Sequence, residues 1–403
     1  MTGRSEKNGL AKNPCILIIC NYYLPGYKRG GGLRTLVHMV ERFHDRFDFR
    51  VITRDHDGDG VRYENIKVND WNDIQGAQVY YLSKDNVGFS KLRELIAEVE
   101  PDSIYLNSVF STLTILYLTL RKLRLIRSIQ TILAPEGELS VGALMFKSYK
   151  KKPFAALAAG AGLYRNLIWK TTADLEKEET KKFKGRGGVI FVAPNLPSRE
   201  LLQNYRQELK PEKHSGAVKM IFLSRYARKK NFKWLVDKLA GFGGDLTIDV
   251  YGPIEDEVYW EQTKRAIAKL PPNVKVEYKG LLEYDKVPGK LFEYHFFVLP
   301  TVGENFGHVF IEALAAGCPL VISDRTPWLE LEEKNVGWDL PLEEPQRWLE
   351  TINHCINLNQ ANYSKLSANA REYAARWLLD PKVEADTLDV LNYSLEENLT
   401  IVR

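Results

Sequence analysis

The chain is poor in the residues that staple or ligate. Among its 403 residues are four cysteines, Cys15, Cys20, Cys318 and Cys355, with no C-x-x-C and no close Cys/His cluster. That argues against a disulfide scaffold and makes free thiols the expectation. None of the seven histidines stands in an H-x-H or H-E-x-x-H pair, so no metal site is expected. The stretch FAALAAGAGL from Phe154 is too short to cross a bilayer, and the opening MTGRSEKNGLAKN has no apolar signal core. A cytoplasmic location is therefore expected. G-x-G-x-x-G is missing as well, which discounts a Rossmann dehydrogenase, and there is no short repeat or low-complexity tract.

What is present is the composition of a globular protein, 44% hydrophobic and 27% charged. The length suits two domains better than one core. Net charge is only +4, and nucleic acid is not an expected partner. The charge is uneven, however: Arg121 to Lys184 carries 14 Lys/Arg against 6 Asp/Glu, with Lys147, Lys150, Lys151 and Lys152 among them. Such a segment could meet anionic lipid at the inner membrane face, or simply be a solvated helical surface.

Short apolar runs alternate with helical periodicity. Strands are expected at Cys15 to Cys20, Phe49 to Thr53, Val79 to Leu82, Ile104 to Leu106, Ile129 to Leu133 and Val189 to Ala193, with helices between. One helical region is expected from Phe154 to Phe183. After PNLPS (Pro194 to Ser198), read as a hinge, a second series runs Met220 to Ser224, Leu246 to Tyr251, Val274 to Lys279, Phe296 to Leu299 and Leu320 to Ser323. Helices close the chain. This alternation predicts two parallel sheets, each covered on both faces, with ligands at the carboxyl ends of the strands.

The most informative stretch is FFVLPTVGENFGHVFIEALAAGCPLVIS, Phe296 to Ser323, a β-loop-α-β unit. Glu312 is the lone charge on an otherwise apolar helix, where a carboxylate needs a partner. Helical side chains lean toward the N-terminus, which aims Glu312 at the loop of Glu304, Asn305, Phe306 and Gly307. The first-turn N–H groups converge there and favour an anion. A ligand with both hydroxyls and phosphates fits, and a sugar nucleotide has both. The plainer alternative is a Glu312 that satisfies a neighbouring Arg or backbone group.

Other segments could join this site. Gly30, Gly31 and Gly32 precede a helix and permit close backbone approach to a phosphate, or form an ordinary flexible loop. In Ser224 to Asn231, SRYARKKN, Arg225 and Lys230 could pair with a diphosphate while Arg228 and Lys229 face water. Asp57-Gly58-Asp59 has the form of a metal-holding D-x-D but lies in a Gly/Asp-rich turn, and a solvated turn is expected.

Taken together, the glycine triplet, SRYARKKN, Tyr251-Gly252-Pro253, and GENFGHVFIEALAAGCPLVIS with seven residues between Glu304 and Glu312 resemble the retaining nucleotide-sugar glycosyltransferases of family four. The likeness is greatest to bacterial members that build capsule, exopolysaccharide or lipopolysaccharide. PNLPS resembles that family's interdomain linker, and Thr326 to Trp328 the segment after its paired glutamates. The resemblance implies an α/β GT-B fold, with two Rossmann-like doubly wound domains facing across a cleft. Residues 1–197 would form the acceptor side, with helix 381–403 packing back on it, and 198–380 the nucleotide-sugar donor domain.

By the same resemblance, Arg225 and Lys230 would neutralise the donor diphosphate and Glu304 would hold the donor sugar, helped by N–H groups of Asn305, Phe306 and Gly307. Glu312 would bind the ribose. Gly31 and Gly32 would approach the phosphate, Gly252 would line the donor site, and the base would be read through backbone near Gly280 to Leu282. No cofactor or metal is implied beyond a UDP- or GDP-sugar and a glycan or lipid-linked acceptor. Where many members carry a histidine, this chain has the loop PEGELS, so Glu136 and Glu138 are candidate acceptor-side groups or loop-structuring carboxylates. A UDP-sugar 2-epimerase of the same fold and a non-catalytic nucleotide-sugar-binding partner are the alternatives.

Overall fold

The computed structural model describes residues 13–27, 30–140, 143–144, 153–154, 157–202 and 210–396. Among them, eight strands form one sheet: β1 (Cys15–Ile19), β2 (Asp48–Arg54), β3 (Trp71–Ile74), β4 (Ala77–Leu82), β5 (Ser103–Asn107), β6 (Gln130–Ala134), β7 (Ile168–Thr171) and β8 (Val189–Val192). Their order is β3-β4-β2-β1-β5-β6-β7-β8. All neighbours are parallel except β3, which pairs antiparallel with β4. The central β1, CILII, is apolar and buried at every position, as a strand covered on both faces must be.

A second sheet holds β9 (Ala217–Leu223), β10 (Asp245–Tyr251), β11 (Val274–Gly280), β12 (Phe296–Leu299), β13 (Leu320–Ser323) and β14 (Gly337–Leu340), all parallel, in the order β11-β10-β9-β12-β13-β14. Its edge strand β11 alternates buried or half-buried with exposed residues, the pattern of a sheet margin. Strand order reverses beside β1 in one sheet and beside β9 in the other, so each switch point opens a crevice at the strands' carboxyl ends. The fold is thus two α/β units with parallel sheets, a GT-B arrangement.

Helices cover the sheets: α1 (Gly31–Phe43), α2 (Phe89–Val99), α3 (Thr112–Lys122), α4 (Asp174–Lys181), α5 (Phe232–Lys238), α6 (Glu257–Ile267), α7 (Val287–Leu291), α8 (His308–Ala315), α9 (Pro345–Asn357), α10 (Gln360–Leu379) and α11 (Pro381–Glu396). The last crosses back. Val383, Val390 and Leu391 of α11 join Ile16, Ile18 and Phe49 in one apolar cluster, and Ser103 Oγ donates to Ser394 Oγ at 2.7 Å. Glu384 pairs with Arg42 of α1, whose Nη2 also donates to Pro197 O at 2.7 Å.

Three details differ from the reading of the sequence. The region expected to be helical from Phe154 to Phe183 contains β7, fully buried with Trp169 at its centre; four residues are too few for a two-residue period to stand out against helical flanks. The β3 to β4 hairpin turns on Gln75 and Gly76, both at positive φ, a type I′ signature hidden by the polar composition of WNDI. The Asp57 to Gly60 turn is exposed at Asp59 and Gly60 as expected, but Asp57 itself is buried, its carboxylate accepting from the Tyr27 N–H at 2.9 Å.

Of the basic segment, Lys147, Lys150, Lys151 and Lys152 lie outside the described residues. Lys170 is buried on β7 with its ammonium on Asn195 Oδ1, so it adds nothing to a solvated face. The four cysteines are free and buried. No helix among the described residues is long and apolar enough to cross a membrane.

Candidate functional site

The loop after β12 and the turn after β9 are built as one unit. Val302 N–H donates to Lys229 O at 2.9 Å, and Thr301 Oγ1 to the same carbonyl at 3.1 Å. That stitching carries Lys230, 8% exposed, onto the Glu304 carboxylate. Burial pushes the Glu304 carboxyl up, but Lys230, Lys229 and Arg225 outweigh it and leave the group below its ordinary value. Lys230 thus contacts the carboxylate at the mouth of α8, while Lys229 and Arg225, the latter paired with Glu255 at 2.7 Å, add to the positive field around it.

The rest of this loop is set by packing. Trp328 Nε1 donates to Phe306 O at 2.6 Å, and the Phe306 ring sits against His308, Trp328 and Trp377. Phe306 thus has only its N–H to offer a ligand. Gly307 is at φ 77°, and a Cβ there would lie 2.5 Å from the Phe310 ring, so no other residue fits. The N–H groups of Asn305, Phe306 and Gly307 have no acceptor among the described residues, and beside the α8 N-terminus such donors favour an anion.

Glu312 lies on α8, 6% exposed. Burial pushes its carboxyl up to about 7, against the opposing pull of Arg34 and of the neighbouring Tyr284 hydroxyl. Both partners matter because Arg34 belongs to α1 of the first domain: its guanidinium lies over the Tyr284 ring, 3.3 Å from the centroid. Tyr284 Oη stands 3.2 Å from His38 Nε2. His38 Nδ1 is 2.9 Å from Leu196 O, so Nδ1 carries the proton and Nε2 accepts. Burial holds His38 down at about 4.

One face of α1 thus runs along the second domain. Gly30 and Gly31 bring backbone within van der Waals range of Arg225 and His308, since a Cβ at either would lie 3.5 Å from the nearest atom. Thr35 Oγ1 is 3.2 Å from His308 Nε2, while His308 Nδ1 is buried with no hydrogen-bond partner. Gly32 O accepts from Asn107 Nδ2 at 2.8 Å.

Across the cleft, Glu136 and Glu138 part company. Glu138 accepts from Ser108 Oγ, Val109 N–H and Phe110 N–H at 2.8, 2.8 and 3.2 Å and so structures the loop after β5. Glu136 accepts from Asn195 Nδ2 at 2.9 Å through Oε2, but its buried Oε1 has no hydrogen-bond partner. Burial pushes its carboxyl up to about 7 despite Lys170 beside it.

The basic turn, the loop from Glu304 to Gly307 and the glycine triplet are thus neighbours, through Lys230 on Glu304, Gly30 beside Arg225 and Gly31 beside His308, with Glu312 farther along α8. Gly252, at φ 130°, plays a tighter part: a Cβ would lie 2.0 Å from Ser224 O. Its N–H and carbonyl are already used by Gly280 O at 3.0 Å and Tyr278 Oη at 2.9 Å, so it keeps the basic turn close. Leu282 is half-buried against the second core. Sequence reasoning missed Arg34, His38, Thr172, Glu176 and Tyr284. Polar residues at helical spacing, Arg34, Thr35, His38 and Arg42, on a helix otherwise buried by Leu33, Leu36, Met39 and Phe43 were the available signal.

Comparison with known proteins adds the following. Residues 205–377 match the model of glycosyl transferases group 1. A search of curated proteins finds no match. Among solved structures, sucrose-phosphate synthase from Thermosynechococcus elongatus is 15% identical with a TM-score of 0.69, covering 97% of this chain and 100% of that one. Anabaena HepE, solved with UDP and glucose, is 17% identical with a TM-score of 0.67, over 94% and 100% of the two chains. WaaG, a glycosyltransferase involved in lipopolysaccharide biosynthesis, is 13% identical with a TM-score of 0.63, over 93% and 98%. At such identities these likenesses establish the shared fold. The family match on that fold supports a glycosyltransferase.

Proposed function

We propose that the protein is a retaining glycosyltransferase that moves a hexosyl unit from a UDP- or GDP-sugar to a lipid-linked or polysaccharide acceptor in bacterial surface-glycan synthesis. The observation that carries this reading is the Lys230–Glu304 ion pair at the N-terminus of α8, within the positive field of Lys229 and Arg225, with a second carboxylate, Glu312, on the same helix. The diphosphate would lie against Arg225, Lys230 and the free N–H groups, approached by Gly31 and Gly32. Glu312 would take the ribose hydroxyls and Glu304 those of the sugar. HepE, of the same fold, has been solved with UDP-glucose, and the role of WaaG in lipopolysaccharide biosynthesis favours a surface-glycan acceptor.

In the front-face route, the bond from C1 to the phosphate oxygen breaks as the acceptor hydroxyl approaches on the same side, and its proton passes to the departing phosphate. The cations and helix dipole stabilise that leaving group, so no metal is required. The acceptor would enter on the Glu136 side. The domain split proposed is 1–197 with 381–403 for acceptor and 198–380 for donor. We also propose peripheral contact with anionic membrane from the cytoplasmic side through segment 121–184, whose described part exposes Leu123, Leu125 and Leu157.

One observation favours a second reading: Glu136, held near neutrality in the first domain's cleft, is the kind of acid/base group a UDP-sugar 2-epimerase would need. Incubation with a panel of UDP- and GDP-sugars, with and without extracted membrane glycolipids, separates the two. Nucleotide release dependent on glycolipid is expected; a C2 epimer would identify the epimerase, and tight nucleotide binding without turnover a non-catalytic partner.

A further inference from the structure

Glu176, 3% exposed at the first turn of α4, touches three loops at once. Its Oε1 accepts from Gly137 N–H at 2.6 Å, and Oε2 from Thr172 N–H at 2.7 Å and Thr172 Oγ1 at 3.0 Å. The third loop belongs to the other domain: with its nitrogen turned to these acceptors, the Asn305 amide donates to Oε2 at 3.0 Å and to Thr172 Oγ1 at 2.8 Å. The approach is tight, because a Cβ on Gly137 would lie 2.8 Å from Asn305 Cβ. A buried carboxylate of the first domain thus grips the side chain of the residue next to Glu304.

We infer that Glu176 is a positioning residue that sets the Glu304 to Gly307 loop from across the cleft, so that the sugar end of the donor is presented only when the two domains meet. The inference rests on the donor-site reading above. Glu176 reaches the second domain through the Asn305 side chain and has no hydrogen bond to Arg225, Lys230 or Glu312 among the described residues, so its loss acts first on the sugar end of the donor. A carboxylate whose acceptor sites are filled by backbone and hydroxyl donors is also rigid, which suits a group that fixes a neighbour's geometry.

The test removes the grip in two ways while keeping the Asn305 N–H. Asn305→Asp places a second carboxylate against Glu176, and Asn305→Ala removes the amide without adding charge. Both are expected to lose roughly 10- to 100-fold in turnover of the nucleotide-sugar the parent uses, Asn305→Asp the more, while UDP and GDP dissociation constants measured by calorimetry weaken by a smaller factor than turnover falls. In parallel, small-angle scattering without nucleotide should show Asn305→Asp expanded relative to the parent and to Asn305→Ala. Parental turnover in both variants, or an unchanged radius in Asn305→Asp, overturns the inference. If the parent turns over no nucleotide-sugar, the proposed function falls instead, and the scattering series still decides the contact.

Discussion

Tyr284, on the loop that precedes α7, lies between the Glu312 carboxyl and His38 Nε2 of the opposite domain, 3.2 Å from the latter. Its hydroxyl has one proton. His38 presents an acceptor, because Nδ1 is committed to Leu196 O, so a protonated Glu312 can donate to Tyr284 while Tyr284 donates to His38. An ionised Glu312 competes for the same proton. The hinge carbonyl of Leu196 is therefore linked through His38 to Tyr284, which stands beside the carboxylate on α8.

Removing the Tyr284 hydroxyl tests that link. Tyr284→Phe keeps the ring under Arg34 and loses a hydrogen bond made without nucleotide, so the unfolding midpoint should fall by a few degrees, and nucleotide affinity should weaken by about 5- to 15-fold if loss of support at Glu312 costs a further ~1–1.5 kcal/mol on binding. Calorimetry with UDP and GDP reads this directly. An unchanged affinity would mean that Tyr284 does not support Glu312.

The Glu312 carboxyl, raised to about 7 by burial, should make nucleotide affinity climb with pH. A ribose diol needs an ionised acceptor, and ionisation goes from about a tenth to about nine-tenths between pH 6 and pH 8, so the rise should be roughly tenfold. For folding the sign is opposite. A carboxyl held above its unfolded value contributes stability that is full below about 4.5 and lost as pH passes through about 7. Glu136 acts in the same direction. Glu312→Gln should therefore flatten the affinity profile and, at pH 8, unfold no earlier than the parent. A parent profile flat from pH 6 to 8 would contradict this.

Lys230→Ala removes the ammonium that contacts the buried Glu304 carboxylate and leaves only the more distant Lys229 and Arg225; breaking a buried pair typically costs up to about 3–5 kcal/mol. The thermal midpoint should fall and turnover should vanish. Adding Glu304→Gln should restore most of the midpoint but none of the turnover, because the charge is gone from the proposed sugar site. Recovery of activity in that double variant would remove Glu304 from the reaction.

Chelation is expected to leave turnover intact, since cationic side chains and the α8 dipole would hold the diphosphate. Asp57, the one D-x-D residue buried in the fold, is spent on the Tyr27 and Gly58 N–H groups. Loss of activity in chelator, restored by a divalent ion, would reopen Asp57 and Asp59.

Much of this site is local along the chain. The loop from Glu304 to Gly307, α8 and Glu312 are determined by a contiguous stretch in which strand, glycine, helix and second glycine succeed each other at fixed spacing, and Arg225 and Lys230 follow one strand end. Residues whose meaning depends on the other domain were silent. Glu176 sits in the charged run DLEKEETK, where nothing in the composition separates it from its solvated neighbours, and Tyr284 sits in an exposed-looking EYDK. Glu136 and Glu138 are two residues apart and alike in type; only the fold of their loop buries one with a free oxygen and ties the other to Ser108.

The sequence by itself determined the two parallel sheets and the donor-side motif, because hydrophobic period, helix caps and glycine-bounded turns are set by near neighbours. Tertiary structure alone decided which first-domain side chains complete the site. Arg34, His38, Thr172 and Glu176 reach Tyr284 and Asn305 across 100 or more intervening residues, and contacts of that kind arise from how two sheets are docked, which leaves a polar stripe on α1 but nothing in either stretch that names its partner.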